Sequence, residues 1–174
     1  MLTAVHVLGD YWRPDRDRPT PLGELVSRAK EQGEEGALTE LQRQLAIFVG
    51  KLDLPPRPLV MAVPPGPDRR AHPVPALAAH VASALDAEPG GIVERDNPTA
   101  RVRDTPVEER GRVVAAAGYR VAGDVEGRNV VLVDDVILTG TTVGHLADLL
   151  VAAGAADVVA VVVCRTRLSG TSTR

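Results

Sequence analysis

The sequence predicts an α/β fold, a mainly parallel, doubly wound sheet, on three observations. Short apolar runs typical of buried strands alternate with stretches whose apolar residues recur every three or four positions, as on a helix. The clearest of these stretches form a strand, a helix and a strand between residues 129 and 164. The 174 residues, 44% hydrophobic and 25% charged, are typical of one soluble domain with a core of its own.

Apolar spacing assigns two strands and three helices to the first half of the chain. Gly33 and Gly36 separate the first two helices, and a Pro/Gly turn at 64–67 ends the second strand. In chain order these are a strand at 4–8, a helix around Leu22, Leu25 and Val26, a helix around Leu38, Leu41 and Leu45, a buried strand at 58–64 and a helix at 74–87.

The second half contains the strand–helix–strand unit and a polar loop. The segment GIVER at 91–95 predicts the strand that follows the third helix. Residues 96–112 are too polar for a core, although Thr105–Glu108 fits a capping box that starts one or two helical turns. A buried strand at 129–134, a helix at 143–153 and a buried strand at 157–164 complete the chain. Parallel strands covered on both faces place a ligand site at their carboxyl ends.

Composition excludes several classes of protein. The formal charge of −3 and the small aromatic content, one Trp, two Tyr and one Phe, disfavour a general nucleic-acid surface. The single cysteine, Cys164, excludes an internal disulfide or a multi-cysteine zinc site, and we expect it to be a buried core residue. No apolar run has the length of a membrane span, so we expect a cytoplasmic protein.

One motif joins an acidic pair to a turn rich in threonine. Asp134 and Asp135 come at the end of a buried strand, and residues 139–142, Thr-Gly-Thr-Thr, then open a helix. The turn offers hydroxyls, backbone N–H groups and a helix N-terminus to a phosphate, while carboxylates accept hydrogen bonds from sugar hydroxyls and can hold Mg²⁺. The alternative is that the acids end a strand and cap a turn. The full order of elements favours a site for a ribose 5-phosphate.

The stretch VVLVDDVILTGTTV at 130–143 resembles the phosphoribosyl pyrophosphate signature of type I phosphoribosyltransferases, with Leu138 at a position where Thr, Ser or Asp is common. The resemblance implies that Asp134 and Asp135 bind the ribose hydroxyls and that Thr139 to Thr142 bind the 5-phosphate. The implied ligand-binding stretch is Asp134, Asp135, Val136, Ile137, Leu138, Thr139, Gly140, Thr141 and Thr142.

Weaker features are similar to the ComF-like branch of that family. Lys30 on a helix and Val63-Pro64 at the end of a strand match this branch, and Arg95, Thr99 and Arg110 fall at its spacings. Val102 and Val113 replace its Gln and Asn, the stretch after its pyrophosphate loop is missing, and no zinc-ribbon cysteines occur. From the residues alone, Lys30 is most simply an exposed helix residue.

Further candidates lie in two polar segments. Pro65, Gly66, Arg69 and Arg70 occupy the place of the pyrophosphate loop and could contact a diphosphate, although arginines in a surface turn are usually only solvated. Arg101 and Arg103 lie where the resembling family has a loop that closes over the reacting centre, and we expect one of them to take part in catalysis; an idle loop residue is the alternative.

These features predict a Mg²⁺-dependent phosphoribosyltransferase that uses a nitrogen acceptor, a base or an amine. Asp134 and Asp135 are then catalytic residues and the metal ligands, and the partners are small molecules, with a homodimer left open. A non-catalytic sensor of phosphoribosyl pyrophosphate or a nucleotide is the alternative, and a role in DNA uptake rests on analogy alone. We expect one domain with a hood and leading helices at 1–57, a core sheet at 58–165 and a polar tail at 166–174. Both acids should face solvent and contribute little to folding.

Overall fold

The structure, a computed structural model, describes residues 1–15, 17–65, 72–91, 93–95, 105–116 and 118–167. Five strands form a parallel sheet in the order β1-β7-β6-β2-β3, and two short strands, β4 and β5, form an antiparallel pair. The strands are β1 Ala4–Asp10, β2 Leu59–Ala62, β3 Glu88–Pro89, β4 Val93–Arg95, β5 Tyr119–Val121, β6 Asn129–Ile137 and β7 Asp157–Arg165. The helices are α1 Pro21–Glu31, α2 Glu35–Val49, α3 Val74–Ala84, α4 Arg110–Ala116 and α5 Thr141–Ala152, with a 3₁₀ turn at Val107–Glu109 before α4.

The two longest central strands are apolar on both faces because helices cover both sides of the sheet. Residues 130–133 of β6 and 158–164 of β7 are buried, and the two strands pair in parallel from Asn129 with Asp157 to Ile137 with Arg165. Such continuous valine-rich runs are typical of parallel strands. The predicted fold class is therefore confirmed.

Two hydrophobic cores lie on opposite faces of this sheet. On one face α1, α2 and α3 pack Val26, Leu41, Leu45 and Leu77 against the side of β6 that carries Val133. On the other face α5 packs against the side of β6 that carries Leu132. The α5 contacts are Val143, Leu146 and Leu150. Because β1, β2, β6 and β7 are parallel, they all end at the same edge of the sheet, called here the carboxyl edge.

The predicted helices and long strands are confirmed, with the third helix ending at Ala84 instead of 87 and with Gly36 inside α2 rather than between the first two helices. Helical turns also follow Thr105, as its capping box predicts. The strand predicted at GIVER is present as β4, but it lies outside the parallel sheet. The short β3 is the strand beside β2, and β4, which contains the last three of these residues, pairs with β5 instead.

Two glycines account for that difference. A Cβ atom on Gly90 would lie 2.7 Å from Cγ of Met61, and one on Gly91 would lie 1.7 Å from the carbonyl oxygen of Ala122. The chain therefore leaves the edge of the parallel sheet at a point where only glycine fits, and it then passes close to the end of β5. Among the described residues, no helix is long and apolar enough to cross a membrane.

Candidate functional site

The turn between β6 and α5 is shaped by Gly140. This residue has φ 77° and ψ 2°, the left-handed conformation that glycine adopts without steric cost, and it is the N-cap of α5. It has no side chain that could accept from the first N–H groups of the helix, and a Cβ added there would meet nothing closer than Ile137 Cδ1 at 3.5 Å. Ile137 Cδ1 is the one atom of the described residues within 4 Å of that position, so they leave room for a ligand at the positive end of the helix dipole, where a phosphate is favoured.

Threonine hydroxyls surround this turn. Thr139 is exposed, and its Oγ1 lies 2.8 Å from Oγ1 of Thr141, while Thr141 and Thr142 are half-buried. The helix behind them is fixed, because Val143 is buried and the N–H of Gly144 donates to the carbonyl oxygen of Gly140 at 2.8 Å. Two threonine hydroxyls thus lie together beside the N-terminus of α5 at the carboxyl edge.

Asp134 lies just before this turn. It is half-buried, it is level with Val162 of β7, and its Oδ1 accepts a hydrogen bond from the backbone N–H of Asp135 at 2.8 Å. The strand continues for three residues beyond it, so the acid pair lies within β6 rather than after it. Adjacent side chains on a strand project to opposite faces, so the side chains of Asp134 and Asp135 have different neighbours.

Asp135 is buried, with 3% of its surface exposed. Its Oδ2 lies 2.5 Å from Nζ of Lys30, whose side chain is 14% exposed. The expectation that both acids face solvent is therefore wrong for Asp135, and Lys30 is not an exposed helix residue. The physical reason is the strand alternation, which turns Asp135 to the helix-covered face that Val133 also faces, where α1 supplies a cation.

The surroundings of this ion pair contain further polar groups. Burial raises the pKa of Tyr11, and nearby charges on Glu31 and Asp135 raise it further, while a hydrogen bond with Ser27 lowers it. Burial also raises the pKa of the Cys164 thiol to about 12, and the charges of Asp135 and Asp10 contribute to this shift. Cys164 is thus a buried, protonated core residue, as predicted.

Three apolar residues of the signature contribute packing. Val136 packs partly buried on the α1 side, Ile137 is buried on the α5 side, and Leu138 is half-buried. Pro65 is exposed and lies three residues after the end of β2. Between them, the N–H of Val63 donates to the carbonyl oxygen of Val133 at 2.9 Å. Gly66, Arg69, Arg70, Arg101 and Arg103 lie outside the described residues.

Sequence reasoning missed that Lys30 contacts the acidic pair. A signal was present, because Lys30 follows the buried Val26 by four residues and so shares its face of α1. A second feature not predicted is a shallow cleft at the ends of β1 and β7, lined by Val7, Gly9, Asp10 and Arg165.

The fit of a Mg²⁺ ion can be judged from the donors present. Among the described residues, no cluster of three or more His, Cys, Asp or Glu side chains could hold a metal. Mg²⁺ in phosphate-binding sites is commonly held by one or two carboxylates with waters and substrate phosphates, so Asp134 fits such a role. Asp135 would have to share its carboxylate with Lys30.

One family model and two known proteins match parts of this chain. A family model described as "Phosphoribosyl transferase domain" matches residues 66–173. The ribose-phosphate pyrophosphokinase of Streptomyces coelicolor is 36% identical over 107 residues, which cover 54% of this chain and 33% of that protein. The DNA utilization protein YhgH of Escherichia coli strain K12 is 48% identical over 48 residues, 28% of this chain and 21% of that protein. The chain thus matches about a third or less of these relatives.

Among solved structures, a hypoxanthine-guanine phosphoribosyltransferase from Bacillus anthracis is similar with a TM-score of 0.51. The likeness covers 76% of this chain and 71% of that one, at 16% sequence identity. At this identity it is a likeness of fold alone.

Proposed function

The chain belongs to the phosphoribosyl transferase domain family, and on that premise we propose that it binds phosphoribosyl pyrophosphate at the carboxyl end of β6 and transfers the phosphoribosyl group to a nitrogen acceptor. The observation that carries the proposal is the turn at Gly140, where a left-handed glycine opens the N-terminus of α5 beside Asp134. Such a turn suits a sugar phosphate, with the phosphate on the helix end and the sugar hydroxyls on the carboxylate.

The chemistry assigned to these residues is positioning. The 5-phosphate would accept hydrogen bonds from the N–H groups and hydroxyls of residues 139–142, and Asp134 would accept them from the ribose hydroxyls. This leaves the anomeric carbon accessible to a nitrogen of a base or an amine. The new bond forms from that nitrogen to carbon, the bond to pyrophosphate oxygen breaks, and the nitrogen loses its proton. Holding both reactants in line removes much of the entropic barrier.

Magnesium would be held by Asp134, with Asp135 as a second ligand only if it shares its carboxylate with Lys30. The ion would neutralise charge on the departing pyrophosphate. We also propose that Pro65, Gly66, Arg69 and Arg70 contact the pyrophosphate, and that Arg101 or Arg103 closes over the reacting centre.

The finer assignment to the ComF-like branch is also a proposal. It is supported by the 48-residue likeness to a DNA utilization protein and by the match of Lys30 and Val63-Pro64. Neither feature identifies the acceptor.

A sensor that binds phosphoribosyl pyrophosphate without turnover is the second candidate. The observation that favours it is the ion pair between Asp135 and Lys30, which occupies one of the two carboxylates of the acidic pair. Release of pyrophosphate from phosphoribosyl pyrophosphate in the presence of Mg²⁺ and a panel of bases and amines distinguishes the two. Turnover with any acceptor supports the enzyme, and binding without turnover supports the sensor.

The binding step is tested by calorimetry with the Gly140→Val variant. We expect loss of phosphoribosyl pyrophosphate binding by about tenfold or more, because valine is strained at this φ and fills the space that the phosphate needs. Gly111→Val is the matched control, since a Cβ added at this exposed position of α4 meets no atom of the described residues within 4 Å. Undiminished binding by Gly140→Val would refute the phosphate site.

A further inference from the structure

The buried ion pair between α1 and β6 connects the N-terminal segment to the acidic pair. Nζ of Lys30 lies 2.5 Å from Oδ2 of Asp135, and both side chains are largely buried. Removing two charges from water costs several kcal/mol each, so a pair of this kind is weak evidence for a stabilising role. Its position, one residue from Asp134 and four from Thr139, suggests that it serves the geometry of the site.

Two residues that feel the charge of Asp135, Tyr11 and Cys164, also feel other carboxylates. Tyr11 has nearby charges on Glu31 and Asp135, and Cys164 has nearby charges on Asp135 and Asp10. The remaining cation of this part of α1, Arg28, pairs instead with Glu34. The ion pair of Lys30 recorded among the described residues is the one with Asp135.

The helix that carries Lys30 is itself firmly held. The N–H of Thr20 donates to the carbonyl oxygen of Tyr11 at 2.9 Å, and the hydroxyl of Thr20 donates to the carbonyl oxygen of Asp10 at 2.7 Å. A Cβ on Gly23 would lie 2.2 Å from the carbonyl oxygen of Tyr11, so α1 packs directly on the backbone after β1. Val26 and Ala29 are buried as well, so α1 is packed along the turns that lead to Lys30.

We propose that Lys30 is a positioning residue for the sugar site: by holding Asp135 on the α1 face it sets the end of β6, so that Asp134 is presented to the ribose. This inference rests on the proposed binding of phosphoribosyl pyrophosphate. It assigns to the N-terminal helix a part in recognising the ribose, while the pyrophosphate is recognised elsewhere.

The test measures the binding of two ligands, phosphoribosyl pyrophosphate and inorganic pyrophosphate, each with Mg²⁺, by calorimetry. Lys30→Met should raise the Kd of phosphoribosyl pyrophosphate by about tenfold, because Asp135 loses the charge that holds it. The Kd of inorganic pyrophosphate should rise clearly less than that of phosphoribosyl pyrophosphate, since that ligand has no ribose and can lose only the magnesium contact of Asp134. Lys30→Arg, which keeps the charge, should retain most of the wild-type affinity for phosphoribosyl pyrophosphate.

The matched control is Lys51→Met, the same substitution at the other lysine of the chain, which is exposed. Its binding of both ligands should equal that of the wild type. A double-mutant cycle adds a second criterion. If Lys30 acts through Asp135, then Lys30→Met should cause little further loss once Asp135→Asn is present.

Each outcome decides the proposal. Unchanged phosphoribosyl pyrophosphate binding by a folded Lys30→Met variant, an equal loss of both ligands, or additive effects in the cycle would overturn it. A wild-type protein that binds no phosphoribosyl pyrophosphate would instead refute the proposed function. Where Lys30→Met does not fold, Lys30→Gln, which keeps a donor without the charge, is measured by the same criteria.

Discussion

Asp134 and Asp135 are neighbours in the sequence but lie in different surroundings. The motif predicts a pair of equivalent acids, and the structure has one half-buried carboxylate beside the turn and one buried carboxylate in an ion pair with Lys30. The difference follows from their adjacency within β6, where neighbouring side chains project to opposite faces and Asp135 faces α1. The two residues therefore differ in what they contribute to folding.

The Asp135→Asn variant should be markedly less stable than Asp134→Asn. Asparagine at 135 leaves the charge of Lys30 largely buried without its partner, which costs about 3 kcal/mol. Asparagine at 134 is only half-buried and keeps an oxygen that can accept from the N–H of Asp135, so its effect should be smaller. Urea unfolding of the two variants measures the difference. Equal stabilities would contradict the structural role of the ion pair.

Cys164 makes the stability depend on alkaline pH. Burial, with the charges of Asp135 and Asp10, raises the pKa of this thiol to about 12 in the folded protein, whereas an unfolded thiol has a pKa of about 8.5. The folded state therefore keeps a proton that the unfolded state loses, and this contribution to stability falls as the pH rises from about 8.5 to 12. One such group changes the free energy of unfolding by at most about 1.4 kcal/mol per pH unit.

This prediction is measured by denaturant unfolding at several pH values between 7 and 10. The Cys164→Ala variant is the control, because it has no thiol to titrate and should lose stability less steeply over this range. Parallel curves for the wild type and the variant would show that the thiol has no raised pKa.

Among the secondary-structure elements, hydrophobic periodicity predicts the long helices and strands but not the short ones. Helices α1, α2 and α5 and strands β6 and β7 each have enough residues to display a period of 3.6 or a continuous buried run. The three-residue strand β5 displays neither, so its pairing with β4 depends on contacts distant in sequence. The candidate site likewise has a part that the sequence predicts and a part that it does not. The motif predicts the turn at Gly140, whereas the partner of Asp135 lies more than 100 residues away on α1 and depends on packing.

The docking of α1 on the strand end should depend on Gly23. In Gly23→Ala the added methyl group would lie 2.2 Å from the carbonyl oxygen of Tyr11, so the helix must shift, at a cost of about 1–3 kcal/mol. Gly36→Ala in α2 is the control, because the nearest atom would be 3.8 Å away and alanine favours a helix. Thermal unfolding should give a lower Tm for the first variant and an equal or higher Tm for the second. A Gly23→Ala variant as stable as the wild type would contradict the close packing of α1.

At the scale of the whole molecule, the N-terminal residues belong to the same core as the family domain. The family model begins at residue 66, yet β1 pairs with β7 along the edge of the sheet, and β2 lies between β3 and β6. Val26, Leu41, Leu45 and Val49 are buried against the same face of the sheet as Val133 and Val161. The segment 1–57, predicted as hood and leading helices, thus supplies an edge strand and two of the three helices that the described residues place on this face. Its role as a hood stays a prediction.

A fragment of residues 58–174 should therefore not fold cooperatively. It lacks β1, α1 and α2, which leaves Val133, Val159, Val161 and Val163 without most of their cover on one face, and it lacks the cation that pairs with Asp135. Exposing such a face removes the main favourable contribution to folding, about 25 cal/mol for each Å² of apolar surface left in water. Circular dichroism during thermal unfolding, with the full chain as the control, measures the effect. If the two parts share one core, adding a separate peptide of residues 1–57 should restore a cooperative transition. A fragment that unfolds cooperatively by itself, with the Tm of the full chain, would contradict that shared core.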